Sequence, residues 1–125
     1  MLLGVTQSLG IANPDIPKMA TAFGGGVGRS GALCGALAGA TLSVGLVHGR
    51  KTPADPRDPA YQRAHSLYLE FQKQMGDTTC RGLTGLDLNN PEDAKKMRET
   101  GIHDRVCVPA VRLAARLAEQ ALRSG

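Results

Sequence analysis

The chain has 125 residues, of which 42% are hydrophobic but only 3% aromatic, with no Trp. This length accommodates one domain with its own core, and a core of Ala, Leu and Val favours packed helices over a β-sandwich. The net charge of +4 comes from basic residues that are interrupted by acids, without aromatic side chains between them, so we expect no nucleic-acid binding.

The first two predicted helices are short. An apolar helix covers residues 2–9 and ends at Gly10, whose lack of a side chain suits a left-handed cap. The Asn-Pro-Asp run at residues 13–15 is a typical helix start, and the helix that follows ends at the glycines of residues 24–26. We expect the chain to begin inside its first helix.

A long central helix is predicted from Gly31 onward. Gly31, Gly35 and Gly39 recur every fourth residue, which gives the helix a flat face that another helix can approach closely. The segment of residues 30–49 has no charged side chain and is long enough to consider as a membrane span. Because it is rich in Gly and Ala and only mildly hydrophobic, we expect a buried helix and no membrane contact.

Three further helices follow. One begins at Asp58 and ends at Gly76, with a core-facing stripe predicted from its three- and four-residue spacing, formed by Tyr61, Ala64, Leu67, Tyr68, Phe71 and Met75. Asp77 is expected to cap a short turn over residues 78–83. Asn90 is expected to cap a polar helix that ends at about Thr100, and Asp104 is expected to cap the last helix. The predicted buried positions of that last helix are Val108, Val111, Ala115, Leu117, Ala118 and Leu122.

No strand is predicted. The sequence therefore predicts an all-α, single-domain bundle over residues 1–125, with about five helices around the Gly/Ala-rich central helix.

Cys34, Cys80 and Cys107 are the residues with the most evident chemistry. Their odd number does not fit a disulfide framework, and the N-terminus has no basic leader or cleavage site, so we expect a cytoplasmic protein. Cys34 is predicted in the first turn of the central helix. Cys80 and Cys107 are predicted near helix starts with an arginine close by, where helix amides and positive charge lower a thiol pKa.

A glycine-rich loop precedes Cys34. Residues 26–31 match the dinucleotide-binding pattern G-x-G-x-x-G, but a helix instead of a strand precedes them and no acidic residue follows before Asp55. We interpret the loop as a tight turn that lets two helices meet and whose amides can face an anion or a cluster sulfur. The residues assigned to this role near the candidate site are Gly24, Gly25, Gly26 and Gly28.

Zinc is an alternative use of the same thiols. Three thiolates and one imidazole complete a tetrahedral site, and His103 precedes Cys107 by four residues, on the same face if the turn is helical. Against zinc, the chain has no C-x-x-C motif and no paired histidines. His65 is expected to be a packed side chain beside the aromatic stripe. Packed, purely structural cysteines are the remaining alternative.

Three runs of residues together resemble a known family. FGGGVGRSGALCGALAGA, FQKQMGDTTCRGL and RVCVPAV are similar to the redox-active proteins named for their C-GCAxxG-C-C cysteine pattern. The resemblance assigns Cys34, Cys80 and Cys107 to the last three cysteines of that pattern. This chain departs from the pattern in lacking the first cysteine and in the order of Gly and Ala around Cys34.

The resemblance also implies a function. The family is similar to the non-haem part of split-Soret cytochromes, which implies an iron–sulfur cluster held by cysteines, whereas haem attachment is excluded because no C-x-x-C-H is present. We expect a redox-active cysteine protein that works by thiol/disulfide or iron–sulfur electron transfer with an unidentified redox partner protein. A homodimer is the assembly considered for it. The alternative is a non-enzymatic helical assembly or zinc-binding module with structural cysteines.

Overall fold

A computed structural model describes residues 1–123, and helices form most of this part of the chain. The elements in chain order are α1 (Leu2–Ser8), α2 (Asp15–Ala20), a 3-10 turn (Thr21–Phe23), α3 (Gly24–Val27), α4 (Gly35–His48), α5 (Asp58–Met75), α6 (Cys80–Thr84), α7 (Pro91–Glu99), a π-helical turn (His103–Cys107) and α8 (Val108–Arg123). Residues 1–123 contain no β-strand. The predicted all-α fold is therefore confirmed.

Helices α4, α5 and α8 pack against one another and enclose the core. The buried cluster between them is formed by Val5, Ala36, Leu37, Ala40, Val44, Leu67, Phe71, Ala110, Leu113, Ala114, Leu117 and Ala118. Small side chains on α4 let its neighbours approach closely, as the glycine and alanine spacing predicts. At Gly39 a Cβ would lie 3.2 Å from Met1 Cγ and 3.3 Å from the Leu2 backbone nitrogen, so α1 rests on this face. Within residues 1–123, no helix has both the length and the hydropathy required to span a bilayer.

Most helix ends are where their capping residues predict them. Gly10, Gly76 and Gly101 adopt the left-handed conformation, with φ of 73°, 85° and 72°. Asn90 Oδ1 accepts a hydrogen bond of 2.9 Å from the Glu92 amide at the start of α7. These ends were predictable because each depends on a local backbone conformation or a local hydrogen bond.

The starts of α4 and α8 were predicted incorrectly. The central helix α4 begins at Gly35, four residues later than expected, because Gly31 adopts a left-handed φ of 72° and Leu33 pairs with Thr79 in an isolated antiparallel bridge. Asp104 does not cap α8. It lies inside the π-helical turn, and this turn runs directly into α8.

The predicted buried stripes on α5 and α8 agree with the structure only in part. On α5, Leu67 and Phe71 are buried, but Tyr61 is 61% exposed and His65 is exposed as well. Because each residue turns a helix by about 100°, Tyr61 lies roughly 80° around the helix axis from Phe71.

On α8 the small residues lie inside, and Ala110 and Ala114 are buried where close approach to α4 is required. Val111, one position along from Ala110, is 40% exposed, so the prediction for this residue was wrong. Leu117 and Ala118 were predicted correctly and are buried.

Candidate functional site

The glycine loop before Cys34 is a left-handed turn. Residues 25–29 all have φ between 61° and 69°. Backbone hydrogen bonds of 3.2 Å from Gly31 to Gly25 and 3.0 Å from Ala32 to Gly26 close it. The left-handed conformation costs roughly 1–2 kcal/mol for a residue with a side chain. Val27 and Arg29 bear that cost, so the surrounding contacts must stabilise the loop.

A short antiparallel bridge places Cys34 and Cys80 together. Leu33 lies opposite Thr79, the Cys34 amide donates to the Thr78 carbonyl at 2.8 Å, and the Cys80 amide donates to the Ala32 carbonyl at 2.8 Å. Side chains alternate between the two faces of such a ladder. Cys34 and Cys80, each next to one member of the pair, therefore share the other face.

Gly26 packs directly against Cys80. A Cβ at position 26 would lie 2.7 Å from Cys80 Cβ and 2.6 Å from the Ala32 carbonyl oxygen. Real Cβ atoms essentially never come so close to other heavy atoms. The loop can approach Cys80 only because residue 26 has no side chain.

The turn that precedes Cys80 is fixed by side-chain hydrogen bonds. Asp77 Oδ1 accepts from the amides of Thr78 at 2.6 Å and Thr79 at 3.0 Å, and the Thr79 hydroxyl accepts from the Gly82 amide at 2.9 Å. Thr79, and not the predicted Asp77, is thus the capping residue of α6. The amide donors, Thr79 first and then Thr78, hold the pKa of the Asp77 carboxyl below its ordinary value.

Cys107 reaches the site from the π-helical turn. It is the last residue of this turn, in which the Val108 amide donates to the His103 carbonyl. The wider turn keeps His103 and Cys107 on the same cavity, as their spacing predicts. The His103 side chain is 66% exposed, with Nδ1 3.5 Å from Asp104 Oδ1, so it lies at the outer edge of the cavity.

The three cysteines line one cavity of about 310 Å³. Besides Cys34, Cys80 and Cys107, its walls are formed by Gly24, Gly25, Gly26, Gly35, Ala36, Leu83, Thr84, Leu88, Met97, His103, Val106, Ala110 and Val111. Gly28 does not line the cavity. A larger cleft of about 540 Å³ lies between α5 and α8, but no cysteine lines it. The fold therefore gathers residues that are far apart along the chain around a largely apolar space.

Burial raises the pKa of the Cys80 thiol, and the neighbouring Cys34 thiolate raises it further, against a smaller opposing effect of the Thr84 hydroxyl. Burial also raises the pKa of Cys107, with further contributions from Cys80 and Cys34. Both shifts contradict the lowered pKa values that the sequence predicts. They also indicate that Cys34 lies close enough to Cys80, and both of them close enough to Cys107, to disfavour a thiolate at these two positions.

The nearby arginines do not offset this effect because they interact elsewhere. Arg81 Nη2 lies 3.2 Å from Asp87 Oδ2, and both side chains are largely exposed. Arg105 Nη2 donates to the Thr100 carbonyl at 3.0 Å, at the end of α7. Adjacency in sequence predicted positive charge at Cys80 and Cys107, but the two arginines bind these acceptors and do not line the cavity.

The residues that line the cavity can be compared with the ligands that a metal ion or an iron–sulfur cluster requires. Three thiols and an imidazole edge are the donors that zinc and iron–sulfur clusters require. Within residues 1–123, however, no group of three or more His, Cys, Asp and Glu side chains has an arrangement that could hold a metal ion. The donor chemistry is suitable, although the described side chains do not form a ready-made set of three ligands for a single metal ion.

Sequence reasoning missed several residues of the cavity. Thr84 follows Cys80 by four residues, and its hydroxyl donates to the Cys80 carbonyl at 2.7 Å, so helical spacing was a usable signal. Leu88 lies in the loop before α7 and Met97 lies in α7, and neither has a local signal that links it to a cysteine.

Comparison with known proteins identifies a family and a distant relative. A sequence model of the family described as "Putative redox-active protein (C_GCAxxG_C_C)" matches residues 1–121, a span that includes all three cysteines. An uncharacterized protein of Archaeoglobus fulgidus is 29% identical over 107 residues, which cover 78% of this chain and 71% of that protein. No solved structure matches the chain significantly.

Proposed function

Because this chain belongs to the C_GCAxxG_C_C family, we propose that it is a redox protein whose centre is the cavity lined by Cys34, Cys80 and Cys107. Two of these thiols are oxidised to a disulfide by a disulfide-bearing partner, and another thiol or redox protein returns them to the reduced state. The observation that carries the proposal is that three cysteines 46 and 27 residues apart along the chain open on one cavity.

The environment of the cavity supports a reversible couple. Its walls are largely apolar, and all three cysteines are unpaired. A thiol whose pKa is raised reacts slowly by itself at neutral pH, which protects the reduced form from stray oxidation. Exchange with a partner then requires a disulfide that reaches the cavity.

Equilibration in a redox buffer tests this function. The reduced protein is incubated anaerobically with mixtures of reduced and oxidised dithiothreitol, the free thiols are then trapped, and the mass of each species is measured. We expect one intramolecular disulfide for each chain, formed reversibly in a two-electron step. Three thiols that remain reduced across the whole range, or disulfides that form only between chains, contradict the proposal.

An iron–sulfur centre is a second candidate, favoured by the donor set of three thiols beside side-chain-free glycines. Cys34, Cys80 and Cys107 would hold it, with His103 as a weaker fourth donor, and it would supply one-electron transfer. Neighbouring thiolates raise the pKa values of Cys80 and Cys107, and this supports the candidate because a bound cation would relieve the repulsion. After anaerobic purification, the wild-type protein is expected to be brown and to contain iron. The Cys80→Ser variant is expected to lose this iron, whereas the control variant Met19→Leu, at an exposed position, is expected to keep it. Equal iron contents in the two variants contradict it, and zinc in a colourless protein points to the structural alternative.

A further inference from the structure

We propose that Cys34 is the thiol that attacks a disulfide substrate, that Cys80 is the thiol that resolves the intermediate, and that Cys107 lies outside the resulting disulfide. This assignment rests on the thiol–disulfide function proposed above and names the role of each cysteine within it. It depends on three features of the site: accessibility, the position of Cys34 at a helix end, and the backbone bridge.

Accessibility separates the first two thiols. Cys80 is only 8% exposed and lies under Gly26 of the glycine loop. Cys34 is half-buried and lines the same cavity. Because thiol–disulfide exchange requires the attacking sulfur to meet a substrate sulfur, the more accessible Cys34 reacts first.

The start of α4 also favours Cys34 as the attacking group. Cys34 is the N-cap residue of this helix of 14 residues, and the following Gly35 and Ala36 line the cavity beside it. In the part of the chain that the structure describes, the Cys34 side chain makes no capping hydrogen bond with the first amides of α4. The first amides of a helix have no hydrogen-bond partner within that helix, so they remain available to donate to a sulfur atom at this position.

The bridge selects Cys80 as the resolving thiol. Hydrogen bonds of 2.8 Å on both sides of the Leu33 and Thr79 pair hold the two segments together. Cys34 and Cys80 are diagonal neighbours on one face of this bridge, a relation in which Cα atoms are about 7–8 Å apart. A disulfide requires Cα atoms within about 6.8 Å, so a small approach of the two segments closes it. Cys107 belongs to the π-helical turn, outside this hydrogen-bonded unit.

The exchange conserves atoms and electrons. The Cys34 thiolate attacks one sulfur of the substrate disulfide, the S–S bond of the substrate breaks, and the first substrate thiolate leaves. Cys80 loses its proton to solvent, and its sulfur attacks Cys34 Sγ in the mixed disulfide. The bond between Cys34 and the substrate breaks and the second substrate thiolate leaves. In sum, two protein thiols are oxidised to one disulfide, and one substrate disulfide is reduced to two thiols.

An aromatic disulfide, 5,5′-dithiobis(2-nitrobenzoate), is the probe that tests the assignment, at one equivalent for each chain. Wild-type protein and Cys107→Ser are expected to release two coloured thiolates for each probe molecule and to retain no adduct. Cys80→Ser is expected to release one coloured thiolate for each probe molecule. It is also expected to retain an adduct on Cys34 whose lifetime is at least about tenfold longer than in the wild-type protein. Cys34→Ser is expected to slow the first release by about tenfold or more.

Peptide mapping of oxidised wild-type protein does not depend on how any variant folds. It is expected to find Cys34 linked to Cys80 by a disulfide. A link that includes Cys107, or a first adduct on Cys107, overturns the assignment while the proposed function stands. Release of only one thiolate for each probe by wild-type protein, with no internal disulfide, overturns both. Circular dichroism of each variant identifies one that fails to fold, and Cys80→Ala then replaces Cys80→Ser.

Discussion

Replacing Gly26 by Ala is expected to lower the free energy of unfolding by about 2–5 kcal/mol, the sum of a left-handed backbone cost and an overpacking cost. Gly26 is buried with a φ of 69°, and a new Cβ would lie 2.7 Å from Cys80 Cβ. The second contact, 2.6 Å from the Ala32 carbonyl oxygen, is with backbone that a bridge holds in place. Urea unfolding at constant pH measures the change.

Gly28→Ala is the matched control for this substitution. Gly28 has a similar φ of 61°, but a Cβ there would meet nothing within 4 Å. Gly28→Ala is expected to lower the free energy of unfolding only by the cost of the left-handed backbone, about 1–2 kcal/mol. In Gly26→Ala, displacement of the loop is also expected to increase the alkylation rate of Cys80, while Gly28→Ala leaves this rate unchanged. Equal losses of stability in the two variants would show that Gly26 does not support the cavity.

Alkylation of Cys80 and Cys107 is expected to accelerate steeply with pH and to continue rising beyond the range in which an ordinary cysteine levels off. Only the thiolate reacts, so the rate increases about tenfold for each pH unit below the thiol pKa. Burial raises both pKa values, and the neighbouring thiolates add to the shift. Residue-resolved mass spectrometry after iodoacetamide treatment between about pH 6.5 and 10.5 measures the profile, since an ordinary thiol has a pKa of about 8.5.

The same protein unfolded in urea is the control for these profiles, because there all three thiols are expected to level off together near the ordinary pKa. The shifts also affect stability. A thiol with a raised pKa in the folded state contributes stability below its unfolded pKa and loses it as the pH rises through the folded value. The free energy of unfolding is therefore expected to fall in alkaline solution. A profile for Cys80 or Cys107 that levels off below about pH 8, under the ordinary value, would contradict the burial of that thiol.

The sequence predicted the features that depend on local interactions. Gly10, Gly76 and Gly101 ended helices because a left-handed residue is a local requirement. Asn90 started α7 because its side chain reaches an amide two residues on. The all-α class followed from the scarcity of aromatic residues and from the helical spacing of the apolar ones.

What the sequence did not predict depends on contacts between distant segments. The start of α4 moved to Gly35 because Leu33 pairs with Thr79, and helix periodicity carries no information about such a pair. Likewise, proximity in sequence placed arginines beside two cysteines, but Arg81 interacts with Asp87 and the Cys80 thiol is buried. Convergence of the cysteines on one cavity was inferred from the family resemblance, and the spacing of the cysteines alone does not predict it.

The central claim is that Cys34, Cys80 and Cys107 share one cavity, and phenylarsine oxide tests it most directly. Trivalent arsenic binds two thiolates at once only when they are close together, because it forms a bond to each sulfur and soft thiolates are its preferred ligands. In a titration of the reduced, folded protein, we expect each chain to bind one arsenical and to lose two free thiols. The Cys34→Ser/Cys80→Ser double variant is expected not to react. Three thiols that remain freely titratable after addition of an equimolar amount would contradict the account.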